Sequence, residues 1–578
     1  MEKQEKHFQT SLAGYQGEIA QAEAEFNQQR ILERIWRKDF SVWSTDPVEI
    51  TNRLGWLDSP GVSAALADEI IDFVSSLKAD GYRNALLLGM GGSSLAGEVF
   101  SRSFDSQPGY LNLQVLDSTH PEAVLQQARN LDPRKTLYIV STKSGSTVET
   151  ISFMKFFFNQ TLAQVGRKQA GRHFIAITDP GSGLESVAKE FNFRRIFLND
   201  PDIGGRYSAL SLFGIIPAAM LGIDIKKILH RADMMGRSCQ ALPGTTPNKN
   251  TTVRLGVIMG QLANSGRNKI TFITSERLSP FADWLEQLIA ESTGKMGKGI
   301  LPVVDDTIMS PGQYAGDRLF VHLHGQDDHE QEHAVQELRE AGHPVIEILC
   351  RDVFDIGGEF FRWEMATAIA CWRLGVQPFN QPDVESAKVL ARDMLAEYRR
   401  QGKLPQLAAQ FEFPGIRVYA EKHADDFKEL MNGWLGSNAR DFERTGHEYI
   451  SIQAYVQPDE KTWHVLQDIK VFLQQKFQTS VTVGYGPRFL HSTGQLHKGD
   501  AGKGFFIQIL SALGVDAPIP DQAGFNHSSV SFATLITAQA FGDRRALLEK
   551  NRRVLTFQLH GDEQAGWVIL SRLLAGQG

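Results

Sequence analysis

Short apolar runs alternate with amphipathic stretches along most of this 578-residue chain. From about Arg83 the pattern is clear. Ala85-Leu86-Leu87-Leu88 is an apolar run ending in glycines, and Leu113–Leu116, Thr136–Val140 and Phe174–Ile177 follow, each interval leaving room for a helix. Short apolar strands separated by helical stretches predict a parallel sheet covered on both faces. The rhythm repeats after Asn248 as Lys269–Thr274, Leu319–Leu323 and Val345–Leu349. A third block begins near Tyr449, with Ile450–Tyr455, Val481–Tyr485, Phe505–Leu510 and Val554–Leu559. Upstream the reading is helical: Tyr15–Lys38 is rich in Ala, Glu, Gln and Arg, with no proline and no glycine after Gly17. Such a segment is expected to serve as a packing arm. The predicted class is α/β, organised as a helical arm (1–75), two α/β domains (76–245 and 246–400) and a C-terminal α/β region (401–578). No low-complexity linker separates them, so the units are expected to pack tightly.

Length and composition agree with this division. A chain of this size exceeds one compact core. The 22% charged residues and net charge of −7 are spread out, without a basic run to track a phosphate backbone. Nucleic acid is therefore not an expected partner. No stretch approaches the roughly 20 apolar residues needed to cross a bilayer, and Met1–Arg30 lacks the apolar centre of a signal peptide. A cytoplasmic protein without membrane partners is expected. Cys239, Cys350 and Cys371 are far apart and near no histidine pair, which argues against a disulfide scaffold or a structural zinc site.

Two loops follow predicted strands and open predicted helices, where free backbone N–H groups attract anions. Gly89-Met90-Gly91-Gly92-Ser93-Ser94 is the first, and it could equally be a helix-packing turn. In the second, Ser141-Thr142-Lys143-Ser144-Gly145-Ser146-Thr147, five of seven residues carry a hydroxyl and Lys143 adds a positive charge. Together they favour a phosphate cradle. Neither contains the Gly-x-x-x-x-Gly-Lys-Ser/Thr run of a nucleotide triphosphate loop.

Two further segments are candidates. In Trp284–Lys295, helical spacing puts Trp284, Gln287, Leu288 and Glu291 on one face. Glu291 thus sits on the apolar side of a helix end, where a carboxylate partly withdrawn from water is the kind of group that serves as a general base. The alternative is a solvated i,i+4 ion pair with Lys295. In Gly204-Gly205-Arg206-Tyr207-Ser208, Arg206 follows two glycines. It either enters a site or pins a loop to a helix.

These segments, with Thr147-Val148-Glu149-Thr150 and Phe379-Asn380-Gln381-Pro382-Asp383-Val384-Glu385-Ser386-Ala387-Lys388, resemble the phosphoglucose isomerase family, which is built from two sugar-isomerase domains. The likeness is greatest to the isomerase half of bifunctional transaldolase/phosphoglucose isomerase proteins. It spans roughly residue 30 to the C-terminus, including Gly486–Gly499. The transaldolase activity is not expected, since nothing upstream of residue 76 could supply a barrel of some 200 residues.

The resemblance implies isomerisation of glucose 6-phosphate and fructose 6-phosphate through a cis-enediol(ate), with no metal or organic cofactor. It assigns Glu291 as the base and Arg206 as the group that stabilises the enediolate. Gln287 would place the sugar, and Gly92, Ser93, Thr142, Lys143, Ser144, Thr147 and Gly205 would line the sugar-phosphate site. Lys388 and a histidine would open the sugar ring. The chain departs from the family's pattern at that histidine. Ser310-Pro311-Gly312-Gln313-Tyr314 carries Tyr where His would stand, and a Ser-Thr-Gly-Gln-Leu-His segment appears beyond Lys388 instead. His497 or His491 then takes the role, or ring opening relies more on Lys388. Because a histidine in this family commonly comes from a neighbouring subunit, a homodimer is implied. Two other readings remain open: broader specificity that includes mannose 6-phosphate, and a sugar-phosphate-binding regulator without catalysis.

Overall fold

The computed structural model describes residues 7–240, 250–405, 407–435 and 449–575. They form two compact units. The first holds the chain up to Asp117, Leu131–Pro311 and Gly316–Gln381; the second holds Ser118–Asn130, Gly312–Ala315 and the chain from Pro382 onward. The boundary expected at 245/246 lies outside the described residues.

The first unit contains two five-stranded sheets. One runs, in spatial order, Asn112–Leu116, Asn84–Leu88, Thr136–Ser141, Phe174–Thr178 and Arg195–Leu198, all parallel. The strands Thr136–Ser141 and Phe174–Thr178 are buried at every position, which explains why they read as unbroken apolar runs rather than as alternations. The second sheet orders Phe8–Ser11, Val345–Cys350, Arg318–Gly325, Lys269–Thr274 and Leu301–Val303. Its four inner and far-edge strands are parallel, and Phe8–Ser11 adds antiparallel at the other edge.

The helical arm begins at Gln16, and the strand ahead of it covers an edge that would otherwise leave backbone groups unpaired. Ile19, Ala22, Phe26, Ile31 and Ile35 of the arm enter one apolar core shared by both sheets of this unit. Trp43 Nε1 donates to Ala368 O at 2.8 Å, fixing the arm to the Asp355–Leu374 helix. That 20-residue helix is buried along nearly its whole length. Arg195–Leu198 and Leu301–Val303, which the apolar pattern did not announce, are short edge strands of 4 and 3 residues.

The second unit has its own core. Its six-stranded sheet orders Phe411–Phe413, Ile416–Tyr419, Arg553–Leu559, Gly504–Leu510, Tyr449–Tyr455 and Ser480–Tyr485; the last four are parallel. Where the parallel strands meet the helices, a polar cluster is buried. Lys498 and Asp543 pair at 2.5 Å with both side chains fully excluded from solvent. Gln508 Nε2 reaches Asp543 at 3.4 Å and Gln453 Oε1 at 3.1 Å.

Removing one member of such a pair strands the other charge. Lys498→Met is expected to cost about 3–5 kcal/mol of stability. Adding Asp543→Leu should return much of that loss. Urea unfolding of the two variants checks the ordering; equal loss in both would mean that the stranded charge is not the cause.

Candidate active site

The first unit gathers most of the sequence candidates through a chain of short contacts. The strand Asn84–Leu88 ends in a loop whose turn Gly91–Ser93 leads into the helix Leu95–Ser103. Gly91 takes a φ of +53°, a conformation that costs a residue with a Cβ far more than glycine. Gly92 is needed for a different reason. A Cβ there would overlap the carbonyl of Gly205, so the two backbones cross in direct contact. Ser208 Oγ donates to Gly92 O at 3.2 Å and to Gly205 O at 2.6 Å, tying the crossing together.

The second loop joins the first through Ser141 Oγ, which donates to Ser93 O at 2.7 Å. Thr142 N donates to Ile177 O at 3.1 Å, and the hydroxyls of Thr142 and Thr147 lie 2.9 Å apart. Thr147 sits at the entrance of the 18-residue helix Val148–Val165 and makes no side-chain cap, at the helix end that favours negative charge. Gly145 turns at φ +71° against the backbone of Gly183 and Leu184. Ser144 and Ser146 exchange a hydroxyl contact at 2.9 Å. Lys143 is placed differently from a free phosphate cation. Its ammonium pairs with Asp179 and donates to Pro201 O at 2.8 Å, so its charge is already matched.

Beyond the crossing, Arg206 reaches the end of the helix Ser279–Thr293. Arg206 Nε lies 3.2 Å from Glu291 Oε2, both side chains being almost fully buried. Gln287, one turn earlier, donates from Nε2 to the same oxygen at 3.0 Å. Arg206 as an ion pair and Gln287 as a hydrogen-bond donor converge on Oε2, and Oε1 is the oxygen they leave for a proton. The expected shared face of Gln287 and Glu291 is therefore present. The alternative partner is not used: Lys295 Nζ donates to Gln377 O at 2.5 Å, Asn380 O at 2.6 Å and Asn380 Oδ1 at 2.9 Å. Burial, and then the like charge of Arg206, hold the Lys295 ammonium well below its usual pKa.

Of the two readings its sequence context allowed, the contacts of Arg206 show the pinning of a loop to a helix. Besides the Glu291 carboxylate, it donates to Glu291 O and Pro378 O, each at 2.8 Å, and to Gln381 Oε1 at 2.7 Å. It thus pins the segment 378–381 to the helix end. Lys295 grips the same segment, a role that helical spacing does not reveal. Its signal lies in the position of both residues within the quoted motifs, but partner choice is a tertiary matter.

The remaining candidates lie in the second unit. Lys388 is on the helix Val384–Gln401, partly exposed, with Nζ 2.9 Å from Glu385 Oε1. His497 is fully buried on the helix Gly494–Gly499. Its Nδ1 lies 3.3 Å from Gln453 Nε2 and its Nε2 lies 3.3 Å from Ser451 Oγ. Burial, with Lys498 and Arg552 adding like charge, pushes its pKa well below the usual range, so the ring is neutral. His491 is half-buried at the end of the turn Arg488–His491. His120, which no sequence motif singles out, is buried with Nε2 2.9 Å from Ser511 Oγ, and burial lowers its pKa to about 4.

The sequence profile described as phosphoglucose isomerase matches residues 75–305 of this chain. A probable glucose-6-phosphate isomerase of Methanococcus maripaludis is 30% identical over 362 residues, covering 54% of this chain and 79% of that protein. A glucose-6-phosphate isomerase of Thermus thermophilus is 28% identical over 395 residues, covering 59% and 90%. Two solved structures show the same fold. A hypothetical protein from Thermus thermophilus matches with a TM-score of 0.58 and 24% identity, covering 67% of this chain and 100% of its own. A glucose-6-phosphate isomerase from Chlamydia trachomatis matches with a TM-score of 0.53 and 16% identity, covering 66% and 86%.

Gly92→Ala should cost about 1–3 kcal/mol through forced displacement of the Gly205 backbone. It should also lower activity more than the melting temperature explains; both are measured on one preparation. A second prediction concerns pH. A histidine whose folded pKa is depressed binds a proton in the unfolded state first, so stability is lost as pH falls below about 6.5. For His120, whose folded value is about 4, the loss runs through the window from 6.5 down to 4. The slope is about 1.4 kcal/mol per pH unit per histidine, and His120→Asn should flatten it in urea midpoints taken across that window.

Proposed function

The chain belongs to the phosphoglucose isomerase family, and from that premise we infer which of its residues carry the reaction. That reaction is the reversible interconversion of glucose 6-phosphate and fructose 6-phosphate, a step of glycolysis and gluconeogenesis. It takes a proton from C2 of the aldose and returns one to C1 through a cis-enediol(ate). One base on one face of the substrate performs both transfers. We assign that base to Glu291.

The supporting observation is the convergence of Arg206 and Gln287 on a single oxygen of Glu291 in a buried setting. A carboxylate so held presents its other oxygen in a fixed direction, which is what proton transfer at two adjacent carbons requires. Arg206 contributes a buried positive charge beside the forming enediolate, an effect exerted mainly in the transition state. Its N–H groups are largely committed to carbonyls, so it acts more by charge than by a free donor. Ser93, Thr142, Ser144 and Thr147, with the backbone of Gly92 and Gly205, hold the phosphate. Binding there fixes the reacting carbons at the other end of the sugar. Lys143 positions the loop through Asp179 rather than meeting the phosphate alone.

Ring opening needs a proton at the ring oxygen, and Lys388 is the group we assign to it. His497, neutral and held at both ring nitrogens, reads as a packing residue of its own unit. A histidine from a second subunit would complete the site, which supports a homodimer. We place the enzyme in the cytoplasm, on the support of three unpaired, buried cysteines. Among the described residues no helix is long and apolar enough to cross a membrane. Each of the two sheets of the first unit is read as one sugar-isomerase domain.

A coupled assay converting fructose 6-phosphate to glucose 6-phosphate tests the assignment. Glu291→Gln should lower kcat about a thousandfold with little change in KM. Full activity in that variant would remove Glu291 as the base, and an inactive wild-type protein would remove the reaction itself. His497→Gln should impair closed-ring and open-chain substrates equally. A loss confined to the closed ring would return ring opening to His497 and away from Lys388. Analysis of the product for mannose 6-phosphate measures selectivity at C2.

A further inference from the structure

Away from the residues assigned to isomerisation, the second sheet of the first unit carries two histidines and a glutamate on neighbouring strands. In the parallel pair formed by Arg318–Gly325 and Val345–Cys350, Glu347 stands opposite His322. Cross-strand partners share a face of a sheet, as do residues two apart on one strand. His322, His324 and Glu347 therefore stand together, while Leu319, Val321, Leu323, Ile346 and Ile348 take the opposite face into the core.

We propose that His322, His324 and Glu347 form a binding site for one divalent first-row transition-metal ion of the zinc type. The potential ligand atoms of the three residues all lie within 4.8 Å of one another. His322 Nδ1 is 3.9 Å from Glu347 Oε2, and His324 Nε2 is 3.7 Å from Oε1. These separations are too long for hydrogen bonds. The second lies at the upper end of the spacing of about 3–3.7 Å between two atoms that each bind one zinc at roughly 2.0–2.2 Å.

Three further observations fit a cation. The side chains of His322 and His324 are 3% and 9% exposed, and the two nitrogens that face Glu347 have no hydrogen-bond partner. An unpartnered buried nitrogen is costly unless something arrives to use its lone pair. His324 Nδ1 lies 3.1 Å from Gly325 O, and a carbonyl only accepts, so Nδ1 carries a proton and in the neutral ring Nε2 offers the lone pair. This is the way that ligating histidines are commonly oriented. Finally, the two rings are stacked, with centroids 4.3 Å apart and planes 5° apart, which holds both on the same side of Glu347.

Glu347 also pairs with Arg339 through Oε2, which leaves Oε1 for the ion and tempers the affinity. Two imidazoles with one carboxylate suit Zn²⁺, Co²⁺ or Fe²⁺ rather than Ca²⁺ or Mg²⁺, which prefer oxygen ligands. The ion would tie two neighbouring strands together and stabilise the fold by mass action. The isomerisation does not use it. The rival occupant is a proton shared between the histidines and Glu347.

The test uses the full chain, stripped with a chelator and titrated with Zn²⁺ by calorimetry and with Co²⁺ by visible absorption. The expected result is about one equivalent of metal with Co²⁺ d–d bands, free of the thiolate charge-transfer band that Cys239, Cys350 or Cys371 would give. His322→Ala and His324→Ala should each weaken binding at least tenfold, while His329→Ala, on the exposed loop nearby, should not. Zn²⁺ should raise the melting temperature of the wild type and not of His324→Ala. Absence of saturable uptake, a thiolate band, or equal affinity in all variants would overturn the site in favour of the shared proton. If a histidine variant fails to fold, the wild-type stoichiometry and spectrum decide alone.

Discussion

The buried guanidinium of Arg206 is the interaction on which the site depends. It meets Glu291 twice, at the side-chain carboxylate and at the backbone carbonyl, and it also donates to the carbonyl of Pro378 and the side chain of Gln381. A charge taken out of water needs several such partners to be tolerated. The same partners fix where the Glu291 carboxylate stands relative to the segment 378–381. Lys295 repeats the arrangement from the other side, with its ammonium enclosed by the oxygens of Gln377 and Asn380. Two buried cations thus hold one stretch of irregular chain.

This network rests on a layer of backbone packing. The glycine loop at Gly92 crosses Gly205 closely enough to exclude a side chain, and the hydroxyl-rich loop is hung from the glycine loop by Ser141. The two loops and the Arg206–Glu291 pair are therefore joined by a backbone crossing and by short side-chain contacts. Under the proposed assignment, such coupling would let binding energy collected at a distant phosphate be used at C1 and C2.

Much of the fold was legible because both faces of the central strands are covered. Thr136–Ser141 and Phe174–Thr178 are buried at every position and apolar through their centres, and that marks them as strands. Edge strands such as Arg195–Leu198 are short and partly solvated, so nothing in their pattern distinguishes them from loop. Phe8–Ser11 was hidden for the same reason, four residues being too few to show a period. Within the site, Glu291 and Gln287 could be paired from helical spacing alone, because i and i+4 positions meet whatever the rest of the chain does. The partners of Arg206, Lys143 and Lys295 are set by segments distant in sequence, and long side chains leave several choices open until the fold is known. His497 shows the same limit: its motif does not reveal that it lies on a buried helix with its imidazole held between Ser451 and Gln453.

The two glycines at the crossing are not equivalent. At Gly92 the protein itself forbids a larger residue, since the space a methyl would need is filled by another backbone. At Gly205 a methyl would meet no protein atom within 4 Å, and the φ there is not one that demands glycine. Tolerance to substitution would thus separate two kinds of constraint in one motif. The first position answers to the packing of one backbone on another, and would be read first in stability, with activity following through the displaced Gly205 backbone. The second has open space beside it, so a methyl there should leave stability almost unchanged.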